Sequence, residues 1–129
     1  MAPTTPELLL EVPPVVRRGD VVPITLHVTH PGPDALELYL LGRAATMDVE
    51  VARGDDGVVV WRRLEGAVLQ QVVQLRVLWP GERFDLHASW DGRDARGAPV
   101  PAGDYRVRAF LLTDAPEPRP TDAVPLRVA

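Results

Sequence analysis

The stretch RFDLHASWDGRDARGAPVPAGDYRVRAFLLT, residues 83–113, decides the fold. It holds two runs of alternation around a turn-rich middle. In residues 83–90, Phe84, Leu86, Ala88 and Trp90 fall on one parity, and Arg83, Asp85, His87 and Ser89 on the other. In residues 105–113, Tyr105, Val107, Ala109 and Leu111 share a parity, opposed by Arg106 and Arg108. A period of two marks a strand with one buried face. Between the runs, Asp91 to Asp104 carries Gly92, Gly97 and Gly103, which accept positive φ, and Pro99 and Pro101, whose rings fix φ. Hairpin loops usually take about two to five residues. This longer connection is therefore expected to fold on itself, with a small ribbon around 95–102 and Trp90 and Tyr105 packed at its base.

The same alternation recurs outward along the chain, at 7–12, 21–30, 36–41, 46–53, 58–63, 72–78 and 124–128. Turn signals separate these segments: RRGD, HPGPD, RGDDG, PGE and the proline-rich APEPRPTD. The 14 prolines leave few windows long enough for a helix. One helical turn is expected at 64–71, LEGAVLQQ. Short strands with regular turns predict an all-β, immunoglobulin-like antiparallel β-sandwich of about eight or nine strands. At 129 residues the whole chain, 1–129, reads as a single domain.

Composition excludes several functions. There is no cysteine, so disulfides, zinc–thiolate centres and cysteine nucleophiles are out. Net charge is −4, and the 14 basic residues are all arginine, scattered on an acidic protein; no nucleic-acid partner is expected. A high-GC genome is the simplest source of an arginine-only complement. No stretch approaches the roughly 20 apolar residues of a membrane span. The N-terminus has neither a basic region nor an apolar core of signal-peptide length. A cytoplasmic protein with no membrane partner is the expectation.

Candidate chemistry is sparse. Asp85, His87 and Ser89 share one strand face, but neighbours on a face stand about 6.5 Å apart, beyond hydrogen-bond reach. The three read as a polar outer face. His27 and His30 are three apart in a strand, so they point to opposite faces and read as solvated or turn histidines. Asp91, Asp94 and Gly97 lack the ligand spacing of a calcium loop. The two Arg-Gly-Asp triplets, at 18–20 and 53–55, read as tight turns. No catalytic residue, metal ligand or cofactor is expected, and the protein reads as a non-enzyme.

A resemblance emerges from residues 46–112. Asp48 to Val51, a polar turn at Asp56-Gly57 and a Val60-Trp61 strand come first. Gln70 and Gln71 follow, with Val68 or Leu69 in place of an aromatic, then the turn Pro80-Gly81-Glu82. Trp90, Asp94, Gly97, Val100, Pro101, Gly103 and Tyr105 close the series. In order and spacing these resemble the intracellular proteinase inhibitor (BsuPI) family. The segment HPGPDALELYLLGRAA, 30–45, departs from the family pattern: it has no asparagine and only Tyr39 as an aromatic. The resemblance implies a β-sandwich that inhibits or regulates an intracellular serine protease of subtilisin type. A stiff exposed loop would then meet the protein partner. Two loops qualify: Asp91 to Asp104, with Arg93 or Arg96 as specificity side chain, and Asp114 to Asp122, with Arg119. The alternative is an immunoglobulin-like assembly module of cell-envelope or flagellar type, without inhibitory activity. It would bind through an exposed apolar patch, for which Val59, Leu41 and Leu112 are candidates.

Overall fold

In the computed structural model, which describes residues 5–42, 47–66, 72–114 and 119–129, both alternating runs of the quoted stretch are strands. Phe84, Leu86 and Trp90 of β8 (Arg83–Trp90) are buried, as are Tyr105, Val107, Ala109 and Leu111 of β9 (Gly103–Leu111). The two strands belong to different layers. β8 lies in a three-stranded sheet, order β1-β3-β8, with β1 (Glu7–Glu11) and β3 (Val22–Thr29). β9 lies in a larger sheet, order β2-β11-β9-β5-β6, made with β2 (Val15–Val16), β5 (Met47–Arg53), β6 (Val59–Arg62) and β11 (Val124–Val128). The two-residue β10 (Arg119–Pro120) pairs with the end of β9. Among the described residues, all strand pairings are antiparallel except β2 with β11, which is parallel.

The remaining strands, β4 (Leu36–Leu41) and β7 (Val73–Leu78), pair with each other. β3 runs on into β4 and β7 into β8, so the pairs β3–β8 and β4–β7 are two halves of one long ribbon. Residues 30–35 on one side and the shorter 79–82 on the other bend it. The bend is held where His30 N–H donates to Glu82 O (3.0 Å) and Gly81 N–H donates to His30 O (2.9 Å). Beyond the bend, β4 meets the continuation of β9: Leu41 N–H donates to Leu112 O, and Asp114 N–H donates to Tyr39 O. A ribbon that switches sheets through a bend is a common way to close the corner of a sandwich.

The inner faces form one core. Val22, Ile24, Leu26 and Val28 of β3 and the apolar parity of β8 come from the first sheet. Met47, Val49 and Val51 of β5, Val107 of β9, and Leu126 and Val128 of β11 come from the second. Trp90 is completely buried, with its ring centroid 6.0 Å from that of Trp61 and 6.2 Å from that of Tyr105. Nine of the strands match the nine expected segments, their ends shifted by at most two residues. β2 and β10 are additions, each too short to show an alternation. Of the turn expected at 64–71, residues 64–66 form a turn and 67–71 lie outside the described residues. Among the described residues, no helix is long and apolar enough to cross a membrane.

Candidate functional site

The connection from Asp91 to Asp104 folds into a knob at the end of the sandwich. Its centre is a miniature hairpin in which Arg93 pairs with Pro99 and Asp94 N–H donates to Ala98 O (2.8 Å). At the tip, Gly97 takes φ 85°, a left-handed conformation that disfavours any residue with a Cβ. Asp94 is the clamp: its Oδ1 accepts from the N–H groups of Arg96 (2.9 Å) and Ala98 (3.0 Å). Short acidic side chains commonly hold turns this way. Asp91 Oδ1 does the same for Arg93 N–H (3.1 Å). The Arg93 guanidinium folds back to donate to Gly97 O (2.8 Å).

Several hydrogen bonds fasten the knob to the sandwich. The indole N–H of buried Trp90 donates to Arg93 O (2.8 Å). Ala95 N–H donates to Val60 O of β6 (3.0 Å). The Tyr105 hydroxyl donates to Pro101 O (2.6 Å), four residues upstream. That bond resembles the tyrosine corner of immunoglobulin-like sandwiches. Burial pushes the Tyr105 phenol up from its ordinary value, which keeps the donor proton in place. Beside the knob lies an open hollow of about 460 Å³, lined by Trp61, Arg62, Arg63, Glu65 and one flank of the knob. Asp48 supports the far wall. Its Oδ2 accepts from Arg62 (2.8 Å) and its Oδ1 from Leu64 N–H (3.1 Å).

Of the three arginines expected at contact loops, the structure places Arg93 and Arg96 on this knob and Arg119 elsewhere. Arg93 is exposed but engaged in holding the turn. Arg96 is exposed at the tip. Arg119 is half-buried in β10, opposite Leu111; residues 115–118 of its loop lie outside the described residues. The small ribbon expected around 95–102 is present, two residues earlier. The knob is not an extended segment: its backbone groups bond to one another and to the body.

The other sequence candidates resolve into surface architecture. Asp85 faces His27 and not His87. The His27 imidazole is bonded through Nε2 to Glu11 Oε2 (2.8 Å) and through Nδ1 to Asp85 Oδ1 (2.6 Å). Glu11 first and Asp85 second hold His27 above its ordinary value of 6.5, and the bond from His27 holds the Asp85 carboxyl below the usual carboxylate range. His87 Nδ1 lies 3.3 Å from Thr25 Oγ1. Sequence reading takes His27 and His30 for solvated or turn histidines; neither is solvated, and His30 sits at a bend. His27 is clasped between carboxylates, and His30 is fully buried in the ribbon bend, where it contacts Asp34 O. Both Arg-Gly-Asp triplets are turns; Gly54 packs so closely on the next strand that a Cβ would lie 3.0 Å from Asp104 O. Among the described residues, no group of three or more His, Asp or Glu side chains is placed to hold a metal ion.

The expected apolar patch takes a different form. Val59 is exposed as expected, but Leu112 is buried and Leu41 is half-buried. One group of exposed apolar side chains stands on β7 and beside it: Val73, Leu75 and Val77, with Tyr39 on β4 and Trp79 just beyond. Sequence reading missed this face because Val73, Leu75 and Val77 alternate with Gln74 and Arg76, the pattern of a strand that buries its odd parity.

The chain is similar to known proteins in two respects. The family model described as "BsuPI: Intracellular proteinase inhibitor" matches residues 13–116, most of the chain. No curated protein matches the sequence. Among solved structures, a cycloisomaltooligosaccharide glucanotransferase from Paenibacillus superposes with TM-score 0.54 and 15% identity over 100% of this chain and 14% of that one. A β-glucosidase from Listeria innocua, crystallised with glucose, gives TM-score 0.50 and 12% identity over 96% and 16%. The CARDB domain of a Pyrococcus furiosus protein, in complex with di-metal ions, gives TM-score 0.47 and 16% identity over 99% and 97%. The chain thus spans about a sixth of the enzymes it superposes on, and at these identities the likeness shows the fold alone.

Proposed function

The chain belongs to the intracellular proteinase inhibitor family, and from that premise we propose that it blocks a subtilisin-like serine protease in the cytoplasm by binding, without catalysis of its own. Residues 1–129 act as one domain in this reading. The contact is the knob 91–104, with Arg96 as the side chain offered to the protease.

One observation carries the choice of surface. The knob is shaped before any partner arrives, because Asp94, Arg93, Trp90 and Tyr105 each hold it by a hydrogen bond to backbone. A loop ordered in advance does not lose that conformational freedom on binding, and rigidity of this kind is a recognised source of affinity. Of the two arginines on the knob, Arg93 is occupied in closing the turn. That leaves Arg96, exposed at the tip, as the specificity residue. The self-bonded backbone argues for insertion of a preformed turn in preference to strand-like pairing in the substrate cleft.

The test is hydrolysis of a peptide substrate by a subtilisin-like protease, titrated with the wild-type protein, Arg96→Ala and Arg119→Ala. Concentration-dependent loss of hydrolysis, weakened at least tenfold by Arg96→Ala and unchanged by Arg119→Ala, supports the reading. Undiminished hydrolysis at every concentration overturns it. The exposed apolar face of β7 favours a second reading, an assembly module that inhibits nothing; that is the outcome left when no member of this protease class is inhibited.

A further inference from the structure

We propose that β7 is a dimerisation edge, and that its occupant is the β7 of a second copy of this chain, paired antiparallel about Leu75. Among the described residues, β7 has β4 as its sole strand neighbour. Gly42 N–H donates to Val72 O (2.7 Å), which identifies the hydrogen-bonded parity of the β4–β7 ladder. In an antiparallel ladder that parity alternates, so residues 72, 74, 76 and 78 direct their backbone groups at β4. Val73, Leu75 and Val77 direct theirs away from it. Of the usual protections of such an edge, 73–78 carries one charged side chain, Arg76, and no lysine, proline or bulge.

The side chains choose the partner. Val73, Leu75 and Val77 stand on one face, 48%, 54% and 38% exposed, an unusual outlay of apolar surface for a solvent-facing strand. Gln74 and Arg76 stand on the other, where the Arg76 guanidinium lies 4.2 Å from the centroid of the Phe84 ring. A two-fold axis through Leu75 sets Leu75 opposite its own copy and Val73 opposite Val77, and it engages the outward N–H and C=O of all three residues. On the other face, the same register sets Gln74 opposite Arg76, an amide beside a guanidinium that it can accept from. Sliding the pairing by one step of the two-residue repeat in one direction brings Arg76 onto Arg76. Sliding it in the other leaves Val77 without a β7 partner. The acidic groups nearest the apolar face lie one strand or more in from the edge, Glu37 on β4 opposite Val77 and Asp114 beyond β4, so the two copies keep them apart.

The test is sedimentation velocity of the full chain from about 1 µM to about 1 mM, a span that covers weak self-association. The mass rises from the 14.1 kDa monomer toward twice that value as concentration rises. Leu75→Pro removes an N–H that faces away from β4, so it spares the intramolecular ladder and yields a monomer throughout. Two charge variants check the register without relying on proline. Gln74→Glu places a carboxylate opposite Arg76 twice and tightens the dimer about tenfold; Gln74→Arg weakens it by a similar factor. A wild-type monomer at every concentration overturns the proposal. So does a dimer that Leu75→Pro leaves intact, or one on which the two Gln74 variants act in the same direction. None of these outcomes depends on whether a protease is inhibited.

Discussion

Replacing Asp94 with alanine tests whether preformed shape is what the knob contributes. Asp94 Oδ1 accepts two backbone N–H groups, from Arg96 and from Ala98, and both bonds lie in the solvent-exposed turn. Exposed hydrogen bonds of this kind contribute at the low end of the usual range, so the two together stabilise the closed knob by about 1–2 kcal/mol. Nothing in the core touches them, and global stability is expected to change little. The effect should appear locally, as a rise of about 5- to 30-fold in the hydrogen-exchange rates of the Arg96 and Ala98 amides. If the knob is the protease contact, a looser ensemble must be re-ordered on binding, and the inhibition constant rises by the same factor. Asp94→Asn keeps an acceptor at Oδ1 and recovers most of both effects. The refuting result is specific. Both amides loosen by the expected factor while the inhibition constant stays at the wild-type value, which would show that the knob's order is irrelevant to binding.

Two more expectations concern the body of the sandwich. Tyr105→Phe deletes the bond to Pro101 O while keeping the ring beside Trp90, so unfolding should become easier by about 1 kcal/mol, a fall of about 4 °C in the thermal midpoint. The His27 clasp makes stability depend on pH in two directions. His27 is raised in the folded state, so its contribution is complete below its ordinary value of 6.5 and is lost as pH rises through the folded value. Asp85 is lowered, so its contribution is complete above 3.8 and is lost as pH falls through its folded value. Urea unfolding should therefore show highest stability between those limits, with the alkaline decline absent in His27→Gln.

The residues that announced the sandwich did so because burial of one face imposes a two-residue period on each strand. That is why nine segments could be read directly, and why β2 and β10, with two residues each, could not. That the knob would turn was legible for a different reason: Gly97 and the prolines act through their own backbone, whereas the clamp at Asp94 was not read. What alternation cannot supply is which strands become neighbours. Glu11, His27 and Asp85 sit on three strands, and only the order β1-β3-β8 brings them together. The triad suggested by Asp85, His87 and Ser89 failed on the same point, since Asp85 and His87 each bond across strands and not along their own. For β7 the pattern marked the strand but pointed to the wrong face. Val73, Leu75 and Val77 against Gln74 and Arg76 mark the odd parity as the inside, whereas packing buries Leu78 and leaves Leu75 exposed.

The two proposed surfaces lie at opposite ends of one strand. β7 reaches β8 through the turn at 79–82, and the knob leaves β8 after Trp90. Eight residues of strand separate them, about 26 Å at the rise of an extended chain. A partner on the knob and a second copy on β7 therefore do not compete for space, and a dimer would present both knobs. It follows that Leu75→Pro should abolish self-association while leaving the inhibition constant of each protomer unchanged. Arg96→Ala should do the reverse. If instead Leu75→Pro weakens inhibition as much as it weakens self-association, with its unfolding midpoint intact, the protease is meeting the β4–β7 ribbon. Recognition would then have to be reassigned from the knob to that apolar face.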